Sequence, residues 1–401
     1  MPEQNQTSVA GIPIHFKDTS IAFKHKSDRE LLLSYLIFLL TKRPLLVKFL
    51  SKSAKLFLNM GLPVKPLIKA TVFKQFCGGE TQREYQKVVA QLGRAGIGAI
   101  LDYSVEGGGD EAGFEETKNA ILKTIQQAES DKNIPCACMK MTGIVAETLL
   151  EKMTAGHVLS KEDELAWKRL KKRLLEICKL AGKGGTPIYI DAEESWIQGI
   201  IDDLAEEMML TFNREKAVVF TTLQMYRTDR IDYFKRLIEH ARRNDYLLGV
   251  KIVRGAYMEQ ERERARQRGV PSPIHVDKPA TDRAFDETLR LSMEHMDVVE
   301  ICAGTHNETS CRLLAGLMAE RGIPNDHPHI YFSQLYGMSD HISYNLANAG
   351  YNVTKYLPFG PVASTLPYLA RRAEENTAIA GQMSKELEII VRERQRRRAA
   401  K

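Results

Sequence analysis

Eight short apolar segments recur along the chain, and their regular spacing is the feature that most constrains the fold. They are rich in Val and Ile and read IGAILDY, IPCACMKM, TPIYIDA, AVVFTTLQ, LGVKIVRG, DVVEICAGTHN, HIYFSQL and YNVTKYLP. The stretches between them, such as SWIQGIIDDLAEEMM and RIDYFKRLIEHARRN, repeat apolar residues three and four apart, as amphipathic helices do. Strands that alternate with helices in this way predict an α/β fold, a (β/α)8 TIM-type barrel.

The chain is long enough for such a barrel and for further segments on either side. It has 401 residues, whereas a barrel of this type needs about 250. The apolar runs begin near Gly96, and the residues before them have a different charge pattern. The sequence therefore predicts an N-terminal helical arm over residues 1–90, the barrel over residues 91–385, and a basic C-terminal tail over residues 386–401.

Composition excludes several classes of protein. Hydrophobic residues make up 43% and charged residues 27% of the chain, which is typical of a soluble globular protein. The net charge of +6 is modest, and no nucleic-acid motif or zinc-ligand spacing is present. The six cysteines fit no disulfide or metal framework, which favours the cytoplasm. The most apolar run, LLLSYLIFLL, has ten residues, whereas a membrane span needs about 20.

The arm has an unusual charge distribution. From Leu31 to Gly79 there are eight Lys or Arg residues and no Asp or Glu. One interpretation is that the apolar face of these helices packs against the barrel. The other is that a basic surface, together with the tail RERQRRRAAK, contacts anionic lipid at the inner face of a membrane.

Nearly every apolar run ends, at its C-terminal side, in a polar, charged or aromatic residue. These residues are Asp102, Lys140, Asp191, Gln224, Arg254, Thr305, His306, Asn307, Gln334 and Tyr356. Enzymes with this architecture build their active sites at the C-terminal ends of the strands, here called the rim. The sequence therefore predicts an enzyme whose site lies at the rim.

The chemistry of the predicted site favours a bound cofactor. The sequence contains no GxSxG, HExxH, Walker A or GxGxxG motif. The segment DHPH, residues 326–329, precedes a strand and is expected to be a loop, so no metal site is predicted. The rim is rich in cations and hydrogen-bonding groups but lacks an activated nucleophile. This combination suits a cofactor that carries the reaction.

Several segments resemble the proline dehydrogenase family in their order along the chain. They are LDYSVEG, MKMTGI, YIDAEES, TLQMYRTD, KIVRGAYMEQER, THN, YFSQLYGM and YLPFG followed by PYLARRAEEN, and they span about residues 101–376. The resemblance implies an FAD-dependent barrel enzyme that oxidises L-proline to Δ1-pyrroline-5-carboxylate. It further implies hydride transfer from ring C5 to the flavin and reoxidation by a membrane quinone. No second catalytic domain is recognisable, so the chain resembles the monofunctional enzyme, and Lys251 and Met258 resemble the eukaryotic-like branch of the family.

The resemblance assigns a substrate site. Arg371 and Arg372, joined by Lys140, hold the substrate carboxylate, and a guanidinium suits that group because its fork donates two parallel hydrogen bonds. The residues that enclose the proline ring are Tyr356, Tyr368 and Leu335. The residues assigned to a gate or to charge balance are Asp102, Glu106 and Glu375, with Glu106 expected to pair with Arg371.

The resemblance also assigns a cofactor site and a catalytic pair, Asp191 and Lys251. Lys251 stands where many bacterial relatives have arginine, and Met258 where they have tryptophan. Gly255 and Ala256 are expected to be small because the backbone approaches the flavin ring. The implied flavin contacts are Ala192, Gln224, Arg254, Gly255, Ala256, Tyr257, Thr305, His306 and Asn307.

Two alternatives remain open. Hydroxyproline dehydrogenase is the second hypothesis from the enzyme class, but Tyr356 is expected to crowd the ring carbon that would carry the hydroxyl. A lipid-surface or nucleic-acid binding protein would account for the basic arm and tail, but it would leave the rim unexplained.

Overall fold

Eight parallel strands close into a barrel in the computed structural model, which describes residues 14–41, 60, 63–104, 109–369 and 382–400. Each strand pairs with its neighbours in chain order, and β1 also pairs with β8. The predicted (β/α)8 fold is therefore confirmed. The strands are β1 Ile97–Tyr103, β2 Cys136–Lys140, β3 Ile188–Asp191, β4 Val219–Gln224, β5 Leu248–Val253, β6 Val299–Gly304, β7 Ile330–Leu335 and β8 Val353–Phe359.

Helices surround the barrel and form the terminal segments. The N-terminal helices are α1 Thr19–Ala22, α2 Asp28–Thr41, α3 Lys65–Ile68, a π-helical turn Lys69–Phe73, α4 Lys74–Phe76 and α5 Gln82–Gly93. The helices between the strands are α6 Glu111–Ser130, α7 Glu147–Thr154, α8 Lys161–Gly184, α9 Ser195–Phe212, α10 Arg230–Asn244, α11 Met258–Arg268, α12 Lys278–Glu294, α13 Glu308–Glu320 and α14 Asp340–Asn348. Helical residues 362–369, here α15, follow β8, and α16 is Gln382–Ala399.

Side chains that alternate along the strands separate the barrel interior from its outer wall. A small interior cluster contains Cys138, Tyr189, Phe220, Cys302 and Tyr356. The outward residues pack against the helices in a much larger apolar cluster. Because parallel strands run in one direction, their C-terminal ends meet at a single rim, where the predicted site residues lie.

The N-terminal arm and the C-terminal helix pack together in a second core. Phe23, Phe38 and Phe73 from the arm share an apolar cluster with Leu387 and Ile390 from α16. Helix α16 contacts α1 and α2, and α1 also packs against α14. Both terminal segments therefore lie against the same side of the barrel, next to β7 and β8.

The C-terminal residues predicted as a basic tail are helical. They form the helix α16, in which Leu387 and Ile390 lie one turn apart and are buried. Glu393 accepts hydrogen bonds from Arg396 and Arg397, and Arg397 also donates to the Phe23 carbonyl oxygen at 2.8 Å. The apolar spacing was obscured by the neighbouring arginines, whose charges are partly neutralised within the fold.

A buried ion cluster fastens the arm to the outer wall of the barrel. We call Lys26, His25, Asp340 and Lys355 the outer cluster. Asp340 accepts ion pairs from Lys26 at 2.8 Å and from Lys355 at 3.0 Å. Lys355 lies on β8 and also donates to the Met338 carbonyl oxygen. The ring of His25 lies 3.8 Å from Asp340 and stacks on Tyr344.

The charged surface predicted for the arm is only partly within the described residues. Lys65, Lys69 and Lys74 form ion pairs with Glu80, Glu84 or Glu30, and the other five cations of the stretch lie outside those residues. Helix α2 exposes one apolar face, formed by Leu32, Leu36, Leu39 and Leu40. No helix in the described part of the chain is both long and apolar enough to cross a membrane.

Candidate active site

Four predicted residues from four strands meet at the rim of the barrel. Lys140 and Asp191 are register partners at the ends of β2 and β3, and their Nζ and Oδ2 atoms are 3.2 Å apart. Tyr356 donates to Asp191 at 2.9 Å and accepts from Lys140 at 3.1 Å. Lys251 donates to the other oxygen of Asp191. We call Lys140, Asp191, Lys251 and Tyr356 the inner cluster.

The inner cluster holds its charges at neutral pH. Burial raises the pKa of Asp191, but Lys251 and Lys140 outweigh it and lower the pKa to about 2. Burial lowers the pKa of Lys251, yet the attraction of Asp191 leaves that pKa above its ordinary value. Burial and nearby carboxylates raise the pKa of Tyr356, so its phenol keeps its proton. Lys140 is the most exposed of the three ionic groups, with 19% of its side chain accessible.

Asp102 lies beside the inner cluster, whereas the sequence suggested a position near the entrance. Its carboxylate is buried and lies 4.0 Å from the Lys140 ammonium group. Ser104 donates a hydrogen bond to it. Asp102 is therefore placed as a charge partner of Lys140, and its part in an entrance gate stays a prediction.

An apolar and aromatic wall adjoins the inner cluster. Tyr356 belongs to the interior apolar cluster, and Tyr368 to the cluster that joins the arm to α16. Leu335, at the end of β7, contacts both clusters. The ammonium groups of Lys251 and Lys140 lie 5.0 and 5.7 Å from the centre of the Tyr356 ring, so the cations also contact its aromatic face.

The predicted cofactor residues lie at the C-terminal ends of β3 to β6, and several are linked by hydrogen bonds. Gln224 accepts from the Ala256 amide at 3.0 Å. Arg254 donates to Asp282 at 2.6 Å, to Thr305 at 2.5 Å and to Ser310. Asn307 caps α13 by accepting from the Thr309 amide. Ala192 and Tyr257 are buried, whereas Arg254, Ala256, His306 and Asn307 are partly exposed.

The structure gives a different reason for the glycine in RGAY. Gly255 has φ +141°, and an added Cβ would lie 2.4 Å from the Tyr226 ring. Any larger residue would therefore be strained whether or not a cofactor is bound. The Tyr226 hydroxyl is buried and has no hydrogen-bond partner among the described residues.

These residues fit a planar, polar cofactor such as a flavin. The unpartnered Tyr226 hydroxyl is available to a ligand, since buried polar groups normally have a partner. The exposed Gly255 leaves the adjoining backbone uncovered, and the rim supplies cationic, amide and imidazole groups from Arg254, Asn307 and His306. Such a mixed set of donors and acceptors matches both a flavin ring and a pyrophosphate.

Sequence reasoning missed Glu193, the second residue after Asp191. Its carboxylate accepts from the Thr142 amide at 3.0 Å and from the Thr142 hydroxyl. Its backbone carbonyl accepts from Gln224 at 2.7 Å. Burial raises the pKa of Glu193, opposite to the shift at Asp191. The two successive glutamates of DAEE were the available signal in the sequence. Glu193 connects the loop after Lys140 to Gln224, a predicted cofactor residue.

Four predicted residues lie outside the described part of the chain. They are the proposed carboxylate ligands Arg371 and Arg372, and the charge partners Glu106 and Glu375. Their roles therefore stay predictions.

The fold defines the class of protein, and the matching family model defines the family. A closed parallel barrel with a charged rim defines an enzyme of the TIM-barrel class. The family model described as "Proline dehydrogenase" matches residues 85–385. The chain belongs to the proline dehydrogenase family, whose members are flavin-dependent oxidoreductases.

Individual relatives agree with this assignment. The chain is 31% identical to proline dehydrogenase 1, mitochondrial, of Dictyostelium discoideum over 95% of its own length and 74% of that protein. It is 30% identical to hydroxyproline dehydrogenase of Xenopus laevis over 96% of its length and 90% of that protein. Proline utilization A of Bdellovibrio bacteriovorus is a structural neighbour, with a TM-score of 0.69 and 20% identity, and the match covers 96% of this chain and 42% of that one. This last likeness concerns the fold.

Proposed function

We propose that the protein oxidises L-proline to Δ1-pyrroline-5-carboxylate, with FAD as the cofactor and a membrane quinone as the final electron acceptor. The observation that carries the proposal is the inner cluster, in which two lysines, one ionised carboxylate and a phenol meet at the rim. Family membership gives the reaction class.

The chain's cations orient the substrate. Lys140 is partly exposed, so its ammonium can bind a carboxylate, and Arg371 and Arg372 would complete that anion site. Tyr356 and Leu335 would pack against the proline ring. Fixing the carboxylate and the ring together positions the C5–H bond for reaction, which is the contribution of orientation to the rate.

Asp191 acts as the fixed counter-charge of this arrangement. Its pKa of about 2 keeps it ionised, and it already accepts bonds from Lys140, Lys251 and Tyr356. A carboxylate held in this way holds both lysines in place and is a weak base. Because positive charge lowers the pKa of a nearby amine, the lysines favour loss of the substrate N–H proton before oxidation.

The predicted residues at the ends of β4, β5 and β6 would hold the cofactor. Arg254, His306 and Asn307 supply polar contacts, and Gln224 with the backbone of Ala256 borders the ring. FAD, when bound, supplies the acceptor for the hydride that leaves ring C5. The buried Lys251 lies on β5, the strand that Arg254 follows, and adds a positive charge to the inner cluster.

The arm supplies a surface for a lipid-dissolved electron acceptor. Leu32, Leu36, Leu39 and Leu40 are exposed together on α2, next to a stretch rich in lysine. An apolar face with flanking cations favours peripheral binding to anionic lipid. Sedimentation with anionic vesicles, but little with neutral ones, and release by high salt would support this; equal, negligible binding to both would contradict it.

Hydroxyproline is the second candidate substrate, favoured by the similarity to the Xenopus laevis enzyme. Tyr356 argues against it as the preferred substrate. Its hydroxyl is fixed by Asp191 and Lys140, so the ring cannot swing aside without breaking both bonds.

The visible spectrum of the purified protein tests the proposed function. We expect bound flavin whose absorbance bleaches when L-proline is added without oxygen, and a pyrroline product that o-aminobenzaldehyde traps. Trans-4-hydroxyproline serves as the matched substrate and should bleach the flavin more slowly. A flavin that proline does not reduce would reject the proposal.

A further inference from the structure

The loop between β7 and α14 contains a strained residue that the C-terminal helix holds in place. Ser339 is buried and has φ 50° and ψ 41°, a left-handed conformation that costs a non-glycine residue about 1 kcal/mol or more. Its amide donates to the Glu386 Oε1 atom at 2.8 Å, and its hydroxyl donates to the same oxygen at 3.1 Å. Glu386 belongs to α16 and is 3% exposed.

The same serine hydroxyl contacts a predicted cofactor residue. Its oxygen lies 2.9 Å from the Nδ1 atom of His306. A hydroxyl has one hydrogen to donate, and a carboxylate can only accept. With that hydrogen directed to Glu386, the serine oxygen must accept a hydrogen from His306 Nδ1.

Helix α16 approaches the cofactor side of the rim at a second point. Lys385 pairs with Glu308 at 2.8 Å, and Glu308 directly follows His306 and Asn307 in the chain. Burying a carboxylate such as Glu386 is costly unless it is hydrogen-bonded, and the bonds to Ser339 meet that requirement. The two contacts tie α16 to the segment that carries His306.

We propose that Glu386 is a positioning residue for the cofactor site. Through Ser339 it fixes His306 as the tautomer protonated at Nδ1, so that the Nε2 atom offers FAD a hydrogen-bond acceptor. This rests on the proposed function, because His306 is assigned to the flavin there. The C-terminal helix is then part of the cofactor site, although it lies outside the barrel.

Two measurements test the proposal, and one of them needs no cofactor. The first is the 15N spectrum of histidine-labelled apoprotein, with the His306 signals assigned by His306→Gln. The second is the Kd of the apoprotein for FAD, measured by quenching of flavin fluorescence. Glu386→Ala should mix the two tautomers of His306 and raise the Kd about tenfold, the loss expected for one hydrogen bond.

Three further variants separate positioning from folding. Ser339→Gly keeps the left-handed backbone without strain and removes the hydroxyl. It should therefore mix the two tautomers of His306, as expected for Glu386→Ala. Glu386→Gln retains an acceptor oxygen and should remain close to the unmodified protein. The control is Glu393→Ala, which removes another buried carboxylate of α16, one bonded to Arg396 and Arg397; it should lower the Tm and leave the Kd unchanged.

The outcomes are distinguishable. An unchanged His306 tautomer in both Glu386→Ala and Ser339→Gly overturns the proposal, and so does a Kd that rises equally in Glu393→Ala. If the unmodified apoprotein binds no FAD, the proposed function fails, while the tautomer still decides whether Glu386 positions His306.

Discussion

The inner and outer clusters use the same groups on opposite faces of one strand. In each, an aspartate is held by two lysines, and the two clusters include neighbouring residues of β8, Tyr356 and Lys355. The inner cluster faces the rim, and its Lys140 is 19% exposed. In the outer cluster the Lys355 side chain is 1% exposed and is also bonded to a backbone carbonyl, whereas the Lys26 side chain is 15% exposed.

The two clusters differ in the pKa shifts of their buried lysines and in their place in the barrel. Burial lowers the pKa of Lys355, and Asp340 does not fully offset it, whereas Asp191 raises the pKa of Lys251. The outer cluster joins the arm, β8 and α14, and both of its lysines pair with Asp340. The inner cluster lies at the rim of the barrel, so its partly accessible Lys140 can bind an added carboxylate.

Removing the outer carboxylate should have the largest effect. Asp340→Asn leaves the buried Lys355 and the 15% exposed Lys26 without their counter-charge, which should cost about 3 to 5 kcal/mol of the free energy of unfolding. Urea unfolding measures it. Asp297→Asn is the control, because its pair with Arg242 is largely exposed and worth less than about 1 kcal/mol. Equal losses of unfolding free energy in Asp340→Asn and Asp297→Asn would show that the ion pairs of the outer cluster stabilise the fold no more than an exposed pair does.

The inner carboxylate should give a pH-dependent contribution to stability. The pKa of Asp191 is about 2 in the folded protein and 3.8 ordinarily, so the ionised form stabilises the fold above about pH 4. That contribution, on the order of 2 kcal/mol, disappears as the pH falls through 2. Thermal unfolding should therefore show Asp191→Asn less stable than the unmodified protein at pH 6, with the gap narrowing toward pH 2.5. A stability difference between the two proteins that does not change with pH would contradict an ionised Asp191 in the folded protein.

The accessible cation should matter for catalysis more than for folding. Lys140→Met should lower kcat/KM for proline about 30-fold, equivalent to about 2 kcal/mol for one charged contact, with flavin content retained. The matched control is Lys118→Met, which removes a lysine paired with Glu115 and Glu176 outside the site and should leave kcat/KM unchanged. A similar kcat/KM in both variants would exclude Lys140 from substrate binding.

The smallest expected effect is on selectivity. Tyr356→Ser removes the ring that crowds a hydroxylated substrate, so the preference for proline over trans-4-hydroxyproline should fall by about 1 kcal/mol. Tyr356→Phe keeps the ring but loses the bonds to Asp191 and Lys140 that fix it, so it should narrow the ratio of kcat/KM values less than Tyr356→Ser does. Unchanged ratios in both variants would show that Tyr356 does not select the substrate.

The strands and the inner cluster could be predicted because local patterns determine them. The Val and Ile runs specify the strands, and closure of a parallel barrel brings their ends together, so Lys140, Asp191 and Tyr356 meet although they are far apart in the chain. The outer cluster could not be predicted. Lys355 falls within an apolar run, and its partner Lys26 lies in a segment whose packing depends on the whole fold.

The C-terminal helix shows the same limit. Glu386 and Glu393 stand beside a run of arginines, and that composition suggested only a basic tail. Their partners, Ser339 for Glu386 and Arg397 for Glu393, become evident only once α16 packs against the arm and α14. The charge composition of a segment does not show which residue each of its charged side chains pairs with in the folded protein.

The most direct test of the account compares a substrate with and without its carboxylate. The central claim is that the cations of the rim, Lys140 among them, bind that group. Anaerobic flavin reduction is measured for L-proline and L-prolinamide in the unmodified protein and in Lys140→Met. We expect a strong preference for proline that shrinks markedly in Lys140→Met. An identical preference in both proteins would show that Lys140 does not bind the carboxylate and would contradict the account.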